Sequence, residues 1–475
     1  MNWLRRIILI LWLAFSAVPS LRAYADHGPG HDYEPEQLVV GLQPGVPICE
    51  INEAYRTSTM RSILNESIFL LRLHPWQDVE TMVAAMSSDP RLTFVEPNYI
   101  ARMPEADPYE MGAWGGYDDT AYRIQYAIDA LNLTLAHEIN QGAGVTIAVL
   151  DTGVQLDHPA LAASLSADGY DYVDMDDLPA DEGNGIDDDG DSLIDEAVGH
   201  GTHVAGIVHL VAPESTILPL RVLDSDGRGN TFNVAEAMTY AVDHGAAVLN
   251  LSMGMAQPSP TIRSAINYAV DNGIVVVAAA GNLNSSEPQY PAANVGVIGV
   301  AALDADQLKA DFSNYGDWVA LAAPGVSIYS TFIGSGYGWW SGTSMSAPFV
   351  AGQAALIHSL APELTLDQIA TQITSTAQSV DAVNPAYAGL LGAGQPDVAA
   401  SLGCHWADVE PDATHDILNN SCDDDIDVLD VARVASMWRT VGGDLGALDT
   451  DGDGDVDIVD VQRVAGRWGW SRSPL

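Results

Sequence analysis

Residues 247–280 read AVLNLSMGMAQPSPTIRSAINYAVDNGIVVVAAA, and this stretch decides the fold. Its apolar runs at 247–252 and 274–280 have the length of buried strands, whereas residues 262–272 repeat apolar side chains with helical spacing. Two buried strands joined by a helix form a parallel pair, because parallel strands need a long crossover connection. The stretch therefore predicts a parallel sheet covered by helices on both faces.

The same alternation of apolar strands and amphipathic helices extends over residues 123–402, which we predict to be one α/β domain. Its further apolar or amphipathic segments are 145–150, 204–210, 217–222 and 234–244. A smaller α/β unit is predicted at 26–100, followed by a connector at 101–122 that is rich in Pro, Gly, Tyr and acidic residues. In that unit the strand-like runs are 38–42, 68–73 and 92–95, and the helix-like segments are 50–64 and 78–88.

Residues 1–25 predict the compartment. Arg5 and Arg6 precede an apolar run at 7–15, and the triplet AYA follows at 23–25. A charged start, an apolar run too short to cross a bilayer and a small-residue site are typical of a secretory signal peptide. We therefore expect a secreted, extracellular protein that has no membrane attachment after the signal is cleaved. An uncleaved anchor is the alternative.

Charge limits the choice of partners. Asp and Glu number 64 against 18 Lys and Arg, so the formal net charge is −46, and Lys309 is the only lysine. Such a surface does not attract phosphates, which excludes nucleic acid as a partner. The acidity suits a soluble secreted protein or one that binds calcium. Of the three cysteines, Cys404 and Cys422 lie close enough in sequence to pair after export, which leaves Cys49 in the N-terminal unit.

Three glycine-bearing motifs in the central domain carry the chemistry. They are VLDTG at 149–153, HGTHVAG at 200–206 and GTSMSAP at 342–348. The first ends a strand and the other two begin helices, and sites in α/β sheets form at the carboxyl ends of strands. We expect Pro348 in the first turn of the third motif's helix, where its missing N–H has no cost.

These motifs supply the residues of a nucleophilic triad. A serine hydroxyl is a weak nucleophile until a neighbouring imidazole takes its proton, and a buried carboxylate then orients that imidazole. We predict Ser344 as the nucleophile, His200 as the base and Asp151 as the orienting acid. The start of a helix also gives Ser344 free backbone N–H groups that face a developing oxyanion.

The three motifs, in the order Asp, His, Ser, resemble those of the subtilisin-like serine proteases, or subtilases, over residues 125–400. The resemblance implies the subtilisin-like three-layer fold and a serine endopeptidase that hydrolyses peptide bonds through an acyl-enzyme. It also implies that Asn282 donates its side-chain amide to the oxyanion together with the Ser344 N–H; a simple turn residue is the alternative. His203 is expected to be structural.

The resemblance also places the substrate. An extended peptide is expected to lie as an added strand between residues 250–254 and 227–229. Gly254, with the small residues at 279–281, implies a roomy, apolar S1 pocket and a preference for large apolar P1 residues. The predicted substrate-binding residues are Gly227, Gly229, Ser252, Met253, Gly254, Ala280 and Gly281.

The N-terminal unit ends in FVEPNY at 94–99, which resembles the closing strand of subtilase propeptides. Such propeptides assist folding and then block the active-site cleft. Residues 26–100 are therefore expected to be a removable inhibitor that makes the precursor a zymogen, with cleavage within 101–122. A permanent N-terminal domain is the alternative.

An acidic insert precedes His200. Its sequence, NGIDDDGDSLID at 184–195, alternates carboxylates around a glycine, a pattern of ligands that calcium prefers. The predicted ligands are Asp187, Asp189, Asp191 and Asp195, with a solvated acidic loop as the alternative. Ala160, which stands where relatives have Asp, and the short path from 206 to 213 imply that the high-affinity calcium site of the family is absent.

The tail at 403–475 contains a second acidic pattern. Residues 449–460 read DTDGDGDVDIVD, an EF-hand-like loop, and a degenerate copy lies at 419–430. A helix-like segment follows each loop, and the two repeats resemble the dockerin type I module. The resemblance implies a small all-α calcium-binding domain and a cohesin-like partner. The predicted ligands are Asp449, Asp451, Asp453, Asp455, Asp457 and Asp460 in one loop, and Asn419, Ser421, Asp423, Asp425, Asp427 and Asp430 in the other.

The leading hypothesis for the function is a monomeric secreted endopeptidase. It acts on protein and peptide substrates and is tethered by its tail. The first alternative is a non-catalytic scaffold or adhesion protein that binds a partner through the tail. A peptidase that acts on a single partner protein is the second. The complete set of Asp151, His200, Ser344 and Asn282 favours the enzyme.

Overall fold

The computed structural model describes residues 32–106 and 113–403, together with two short strands at 440–441 and 455–456. The expected signal peptide, the Cys404–Cys422 pair and the side chains of the predicted tail ligands lie outside the described residues. In the tail, Thr440–Val441 pairs antiparallel with Asp455–Val456. The expected tail helices also fall outside the described residues, so the all-α tail stays a prediction.

The N-terminal unit is an antiparallel sheet with two helices. Its strands are β1 (Tyr33–Leu42), β2 (Ser58–Ile63), β3 (Ile68–Arg72) and β4 (Leu92–Arg102), and its helices are α1 (Ile48–Tyr55) and α2 (Val79–Met86). The strands lie in the order β2-β3-β1-β4. The three predicted strands and the helix at 78–88 are confirmed, and Asp78 caps α2 by accepting the Thr81 N–H.

The predicted helix at 50–64 is wrong in its second half. α1 ends at Tyr55, and Arg56 takes a left-handed backbone conformation with φ of 55°. The chain then returns as β2, which pairs antiparallel with β3 at the edge of the sheet. Pairing with a strand distant in sequence decides the structure here, because tertiary contacts override weak helix propensity.

A parallel sheet forms the centre of the larger domain. Its strands are β6 (Thr146–Asp151), β7 (Tyr170–Asp171), β8 (Thr216–Arg221), β10 (Val248–Leu251), β11 (Val275–Ala279), β12 (Val297–Leu303) and β13 (Leu321–Pro324). Their order is β13-β12-β11-β10-β6-β8-β7, and every neighbouring pair is parallel. Every residue of β10 and β11 is buried, as expected for strands covered on both faces. The predicted parallel sheet is confirmed.

Helices pack on this sheet in two pairs. α6 (His200–Val211) packs against α9 (Thr343–Leu360), and α7 (Thr231–Asp243) packs against α8 (Pro260–Asp271). Ser259 and Pro260 set the start of α8. The Ser259 side chain accepts the Ile262 N–H, and Pro260 takes the first helical position. The remaining helices are α3 (Thr120–Ile124), α4 (Tyr126–Ala130), α5 (Leu133–Ile139), α10 (Leu366–Ser375) and α11 (Val398–Gly403). Among the described residues, no helix has the length and apolar character needed to cross a membrane.

The connector between the two units is held on the larger domain at both ends. β4 continues to Arg102 and pairs antiparallel with β9 (Arg228–Asn230). Further along, β5 (Ala113–Gly116) joins β15 (Gly336–Trp340), which in turn pairs with β14 (Ile328–Phe332). Between these contacts, Pro104–Ala106 forms a single 3-10 turn. The described parts of the connector, on either side of residues 107–112, therefore pair with strands of the larger domain.

Pro348 does not lie in the first turn of its helix, contrary to the expectation from sequence. It lies inside α9, and its ring nitrogen cannot donate to the carbonyl of Ser344. That carbonyl instead accepts the Ser252 hydroxyl at 3.0 Å. The proline thus frees a backbone acceptor that ties the start of α9 to the segment directly after β10.

Candidate active site

The carboxyl end of the sheet brings the three predicted triad residues together. Asp151 ends β6, His200 begins α6, and Ser344 lies in the first turn of α9. All three are fully buried. His200 Nδ1 lies 2.7 Å from Asp151 Oδ1, and the same carboxylate oxygen accepts the Thr152 N–H at 2.8 Å. The carboxylate is therefore placed to hold the imidazole in one orientation.

Glu105, from the connector, lies between the serine and the histidine. The Ser344 hydroxyl donates to Glu105 Oε2 at 2.7 Å, and His200 Nε2 lies 3.3 Å from the same oxygen. Glu105 is 1% exposed. A Cβ added at Gly342 would stand 1.7 Å from Glu105 Oε1, so only a glycine leaves room for this carboxylate.

Two N–H donors converge on the other oxygen of Glu105. Asn282 Nδ2 donates to Glu105 Oε1 at 3.0 Å, and the Ser344 N–H donates to it at 3.3 Å. The Asn282 amide is fixed because its Oδ1 accepts both the N–H and the hydroxyl of Thr343. The pair of donors predicted for an oxyanion thus surrounds a single carboxylate oxygen in this structure.

Glu105 is not among the residues predicted from the sequence. It stands in the segment RMPEAD at 102–107, which has no periodicity and no motif, so only the tertiary fold reveals where its side chain lies. The weak signal was indirect, because a strand expected to close a propeptide precedes this glutamate by six residues in the stretch 94–99.

The two carboxylates change the charge state of His200. Burial alone would lower the pKa of His200, but Asp151 and Glu105 outweigh burial and raise this pKa to about 10. The imidazole is therefore positively charged at neutral pH while Glu105 is in place, and it cannot accept the proton of Ser344. His203 behaves differently: burial and the nearby His200 lower its pKa to about 3, and its Nε2 faces the carbonyls of Ile328 and Gly338. It is neutral and structural, as expected.

The connector strand occupies the place predicted for an extended peptide. Met103 N–H donates to the Gly227 carbonyl at 2.9 Å. On the other side, Arg102 and Gly254 exchange two backbone hydrogen bonds of 3.0 and 2.8 Å. Gly229 pairs with Ala101 in the ladder between β4 and β9. The two edges named from the sequence therefore enclose an extended backbone, here supplied by the chain itself.

A cavity of about 320 Å³ opens beside Pro104. It is lined by Gly254, Gly281 and Leu283, and also by Gln257 and Gln289. Of the predicted substrate-binding residues, Ser252, Met253 and Ala280 are buried, and the Ser252 carbonyl accepts the Ser344 hydroxyl at 3.4 Å.

The acidic insert contains two groups of carboxylates. Asp187, Asp189 and Asp191 form one group, and Asp189 with Glu196 and Asp226 forms the other. Asp195 belongs to neither: its carboxylate accepts the backbone N–H groups of Asn184 and Gly185, and it closes the loop instead. Burial and neighbouring carboxylates, chiefly that of Asp226, raise the pKa of Glu196 to about 8.

The chain is similar to known proteins over both units. Residues 142–394 match the model of the subtilase family, and residues 21–98 match that of the fervidolysin N-terminal prodomain. The thermophilic serine proteinase of Bacillus sp. (strain AK1) is 40% identical over 293 residues, which are 59% of this chain and 67% of that protein. Thermitase of Thermoactinomyces vulgaris is 43% identical over 245 residues, 50% of this chain and 82% of thermitase.

A solved structure extends the similarity. Fervidolysin from Fervidobacterium pennivorans, described as a keratinolytic enzyme related to subtilisin, superposes with a TM-score of 0.64 at 26% identity. The match covers 79% of this chain and 62% of fervidolysin, so the chain spans less than two thirds of that protein. The family model covers over half of the chain, and the parallel sheet and the prodomain agree with it. The chain belongs to the subtilase family and is a subtilisin-like serine endopeptidase with a fervidolysin-type N-terminal prodomain.

Proposed function

We propose that the protein hydrolyses peptide bonds with Ser344 as nucleophile, His200 as general base and Asp151 as the acid that orients the imidazole. The observation that carries the proposal is the convergence of Asn282 Nδ2 and the Ser344 N–H on one oxygen beside the Ser344 hydroxyl. An oxyanion formed at that position would receive two hydrogen bonds from donors already in place.

The proposed reaction follows from this geometry. Ser344 Oγ attacks the carbonyl carbon of the scissile bond, and its proton passes to His200 Nε2. The carbonyl oxygen becomes an oxyanion where Glu105 Oε1 now lies. The C–N bond then breaks, the amine leaves with the proton from His200, and an acyl-enzyme remains. Water, deprotonated by His200, releases the second product and restores Ser344.

The reaction requires that the connector leaves the cleft first. We propose that residues 26–100 and the connector at 101–122 keep a secreted zymogen inactive until cleavage in the connector. Support comes from the strand at 100–103, which fills the substrate position, and from the charged state of His200 beside Glu105. The prodomain match at 21–98 agrees with this order of events.

The remaining parts of the proposal rest on sequence patterns. The leader at 1–25 supports secretion, and the loops at 419–430 and 449–460 support a dockerin-like tail at 403–475 that folds around calcium and binds a cohesin-like partner. We also propose a preference for large apolar P1 residues. The pocket that would bind them has Gln257 and Gln289 among its lining residues. The alternative of a non-catalytic scaffold is not favoured, because the matched relatives are proteinases.

An acyl-enzyme burst tests the function. Mixing the processed protein with a nitrophenyl ester of a short acylated peptide should release about one equivalent of nitrophenol per enzyme before steady turnover, since acylation by an activated ester outruns deacylation. Stopped-flow absorbance measures the burst. Steady turnover without a burst at any ester concentration, together with no hydrolysis of denatured protein, would contradict the proposal.

Replacement of Asn282 by Ala is expected to lower kcat by about a hundred- to a thousand-fold, the effect of losing one oxyanion donor. KM should change little, because the amide stabilises charge that develops only in the transition state. Since Asn282 also accepts two hydrogen bonds from Thr343, the unfolding midpoint is measured in parallel. Asn284→Ala, two residues further along, is the control and should retain most of the activity. A kcat for Asn282→Ala within a few-fold of that control would remove Asn282 from the mechanism.

A further inference from the structure

The loop at residues 280–285, which we call the oxyanion loop, carries the Asn282 amide into the active site. It follows β11 directly, and none of its residues belongs to a helix or a strand. An irregular loop has no regular ladder of backbone hydrogen bonds to fix it, so its position depends on contacts from other segments. The Asn282 donor is therefore placed only as precisely as the segment that supports this loop.

Asn314, which lies between β12 and β13, supports the oxyanion loop with both its side chain and its backbone. Its Nδ2 donates to the Ala280 carbonyl at 2.9 Å. Its Oδ1 accepts the N–H groups of Leu283 and Ser285, both at 3.0 Å. Its backbone N–H donates to the Gly281 carbonyl at 2.9 Å. Hydrogen bonds from this one residue thus hold the loop both before and after the oxyanion donor.

Gly281, which directly precedes Asn282, is in close contact with Asn314. Its φ of 99° lies in the left-handed region that favours glycine. A Cβ added at Gly281 would stand 2.5 Å from Asn314 Nδ2. On its other side, the Gly281 N–H donates at 2.9 Å to the hydroxyl of Thr343, and this hydroxyl in turn donates to Asn282 Oδ1. The backbone that leads into the oxyanion donor is therefore fixed from two directions.

Asn314 is itself held firmly. It is fully buried, and the neighbouring Ser313 hydroxyl donates to its carbonyl at 2.9 Å. The same hydroxyl accepts the N–H of Ala302 in β12 at 2.9 Å, which anchors this segment to the parallel sheet. Within the described residues, Asn314 makes no hydrogen bond to the triad. An effect of Asn314 on catalysis must therefore pass through the oxyanion loop.

We propose that Asn314 is a positioning residue for peptide-bond hydrolysis, because it fixes the oxyanion loop so that Asn282 Nδ2 points at the developing oxyanion. This role rests on the proposed function. Without the Asn314 side chain, two N–H groups and one carbonyl of the loop lose this partner, and they regain partners only if the loop moves or admits water. A displaced amide stabilises the transition state less, whereas the edges at Gly227 and Gly254 still bind the peptide backbone.

A double-mutant cycle in the processed enzyme tests this role. Asn314→Ala should lower kcat by about ten- to a hundred-fold, the range expected when a catalytic group is displaced by about 1 Å. KM should stay nearly unchanged, because the loop acts on the transition state. In the Asn282→Ala background there is no amide left to position. Asn314→Ala should therefore lower kcat there by less than about threefold.

Asn384→Ala is the matched control. Asn384 is also a buried asparagine with a fully engaged side chain, but its partners lie outside the oxyanion loop. They are the Lys309 N–H and the carbonyls of Gln307 and Val380. This variant should lower the unfolding midpoint, as Asn314→Ala does, yet leave kcat within a few-fold of its parent in both backgrounds. The comparison separates positioning of the amide from a general loss of stability.

Equal fold-losses from Asn314→Ala in the two backgrounds would overturn the role, because Asn314 would then act independently of Asn282. An unchanged kcat in the wild-type background would overturn it as well. If Asn282→Ala itself leaves kcat unchanged, the oxyanion assignment of the proposed function fails and this role fails with it. The single variants therefore show which of the two ideas is wrong.

Asn314→Asp replaces Asn314→Ala if circular dichroism shows that the alanine variant does not fold. The carboxylate has the same size and still accepts the loop N–H groups, but it cannot donate to the Ala280 carbonyl. We expect a lower kcat in the wild-type background and little further loss in the Asn282→Ala background. Equal losses in both backgrounds would again contradict the role.

Discussion

Ser344→Ala should lower kcat of the processed enzyme by about a million-fold, the order of loss found when the serine of subtilisin is removed. The alanine has no hydroxyl to attack the substrate, so only the oxyanion donors and binding would remain to assist hydrolysis by water. KM should change little, because the Ser344 hydroxyl contributes hardly at all to binding the peptide backbone. Initial rates on a chromogenic peptide, after removal of the prodomain, measure the change.

Ser346→Ala provides the matched control on the same helix. Its hydroxyl donates to the carbonyls of Ala323 and Pro324, away from His200, so its loss perturbs packing without touching the chemistry. This variant should retain activity within about tenfold, in line with the loss of one or two neutral hydrogen bonds. Residual activity above a hundredth of wild type in pure Ser344→Ala would mean that another group attacks the substrate.

Glu105→Gln should weaken the binding of the connector in the active-site cleft and therefore speed activation of the zymogen. Glu105 accepts the Ser344 hydroxyl, the Ser344 N–H and the Asn282 amide, and an amide in its place must turn an NH₂ group toward one of these donors. A hydrogen bond to a charged group contributes about 1.5–3 kcal/mol, so cleavage in the connector should accelerate roughly tenfold or more. Gel densitometry of precursor and product over time gives the rate.

The same substitution should lower the pKa of His200. Without the Glu105 charge, burial opposes the imidazolium with only Asp151 to stabilise it. The ring signals of His200 can be titrated by NMR in the Ser344→Ala precursor. Glu53→Gln, an exposed glutamate of α1, is the control and should leave the titration unchanged. If both variants titrate alike, Glu105 does not set the charge of His200.

Activation should also depend on pH in a defined direction. The pKa of His200 in the folded precursor lies above its ordinary value. The stabilisation that protonated His200 adds to the precursor with Glu105 in the cleft is therefore fully present below about pH 6.5. It is lost as the pH rises through about 10. Self-cleavage of the wild-type precursor should therefore accelerate across this window, and in Glu105→Gln the rise should begin at lower pH. A rate that falls as the pH is raised from 6.5 to 10 would contradict the assignment.

Much of the catalytic domain could be predicted because its signals are local. The runs at 247–252 and 274–280 are almost continuously apolar. This pattern is typical of strands in a parallel sheet that is covered on both faces. Asp151, His200 and Ser344 lie in motifs at the ends of such elements, so the sequence located them before their distances were known. Asn282 was named by family resemblance and not by any periodic pattern.

What the sequence missed depends on contacts between distant segments. Residues 58–63 resemble part of a helix in isolation, yet they pair with β3. Pro348 was placed one turn too early, because the exact start of a helix is weakly encoded. Glu105 has no sequence signature at all. It gains its role only when the connector meets the start of α9 at the carboxyl end of the sheet.

A covalent label tests the central claim most directly. A fluorophosphonate reacts only with a serine activated by a base and an oxyanion site, so the processed protein should carry one phosphonate on the tryptic peptide that contains Ser344. The intact precursor should label far more slowly. Glu105 accepts a hydrogen bond from the Ser344 hydroxyl, and it stabilises the positively charged form of His200. Tandem mass spectrometry locates the adduct. No label after removal of the prodomain, or a label on any residue other than Ser344, would contradict the account.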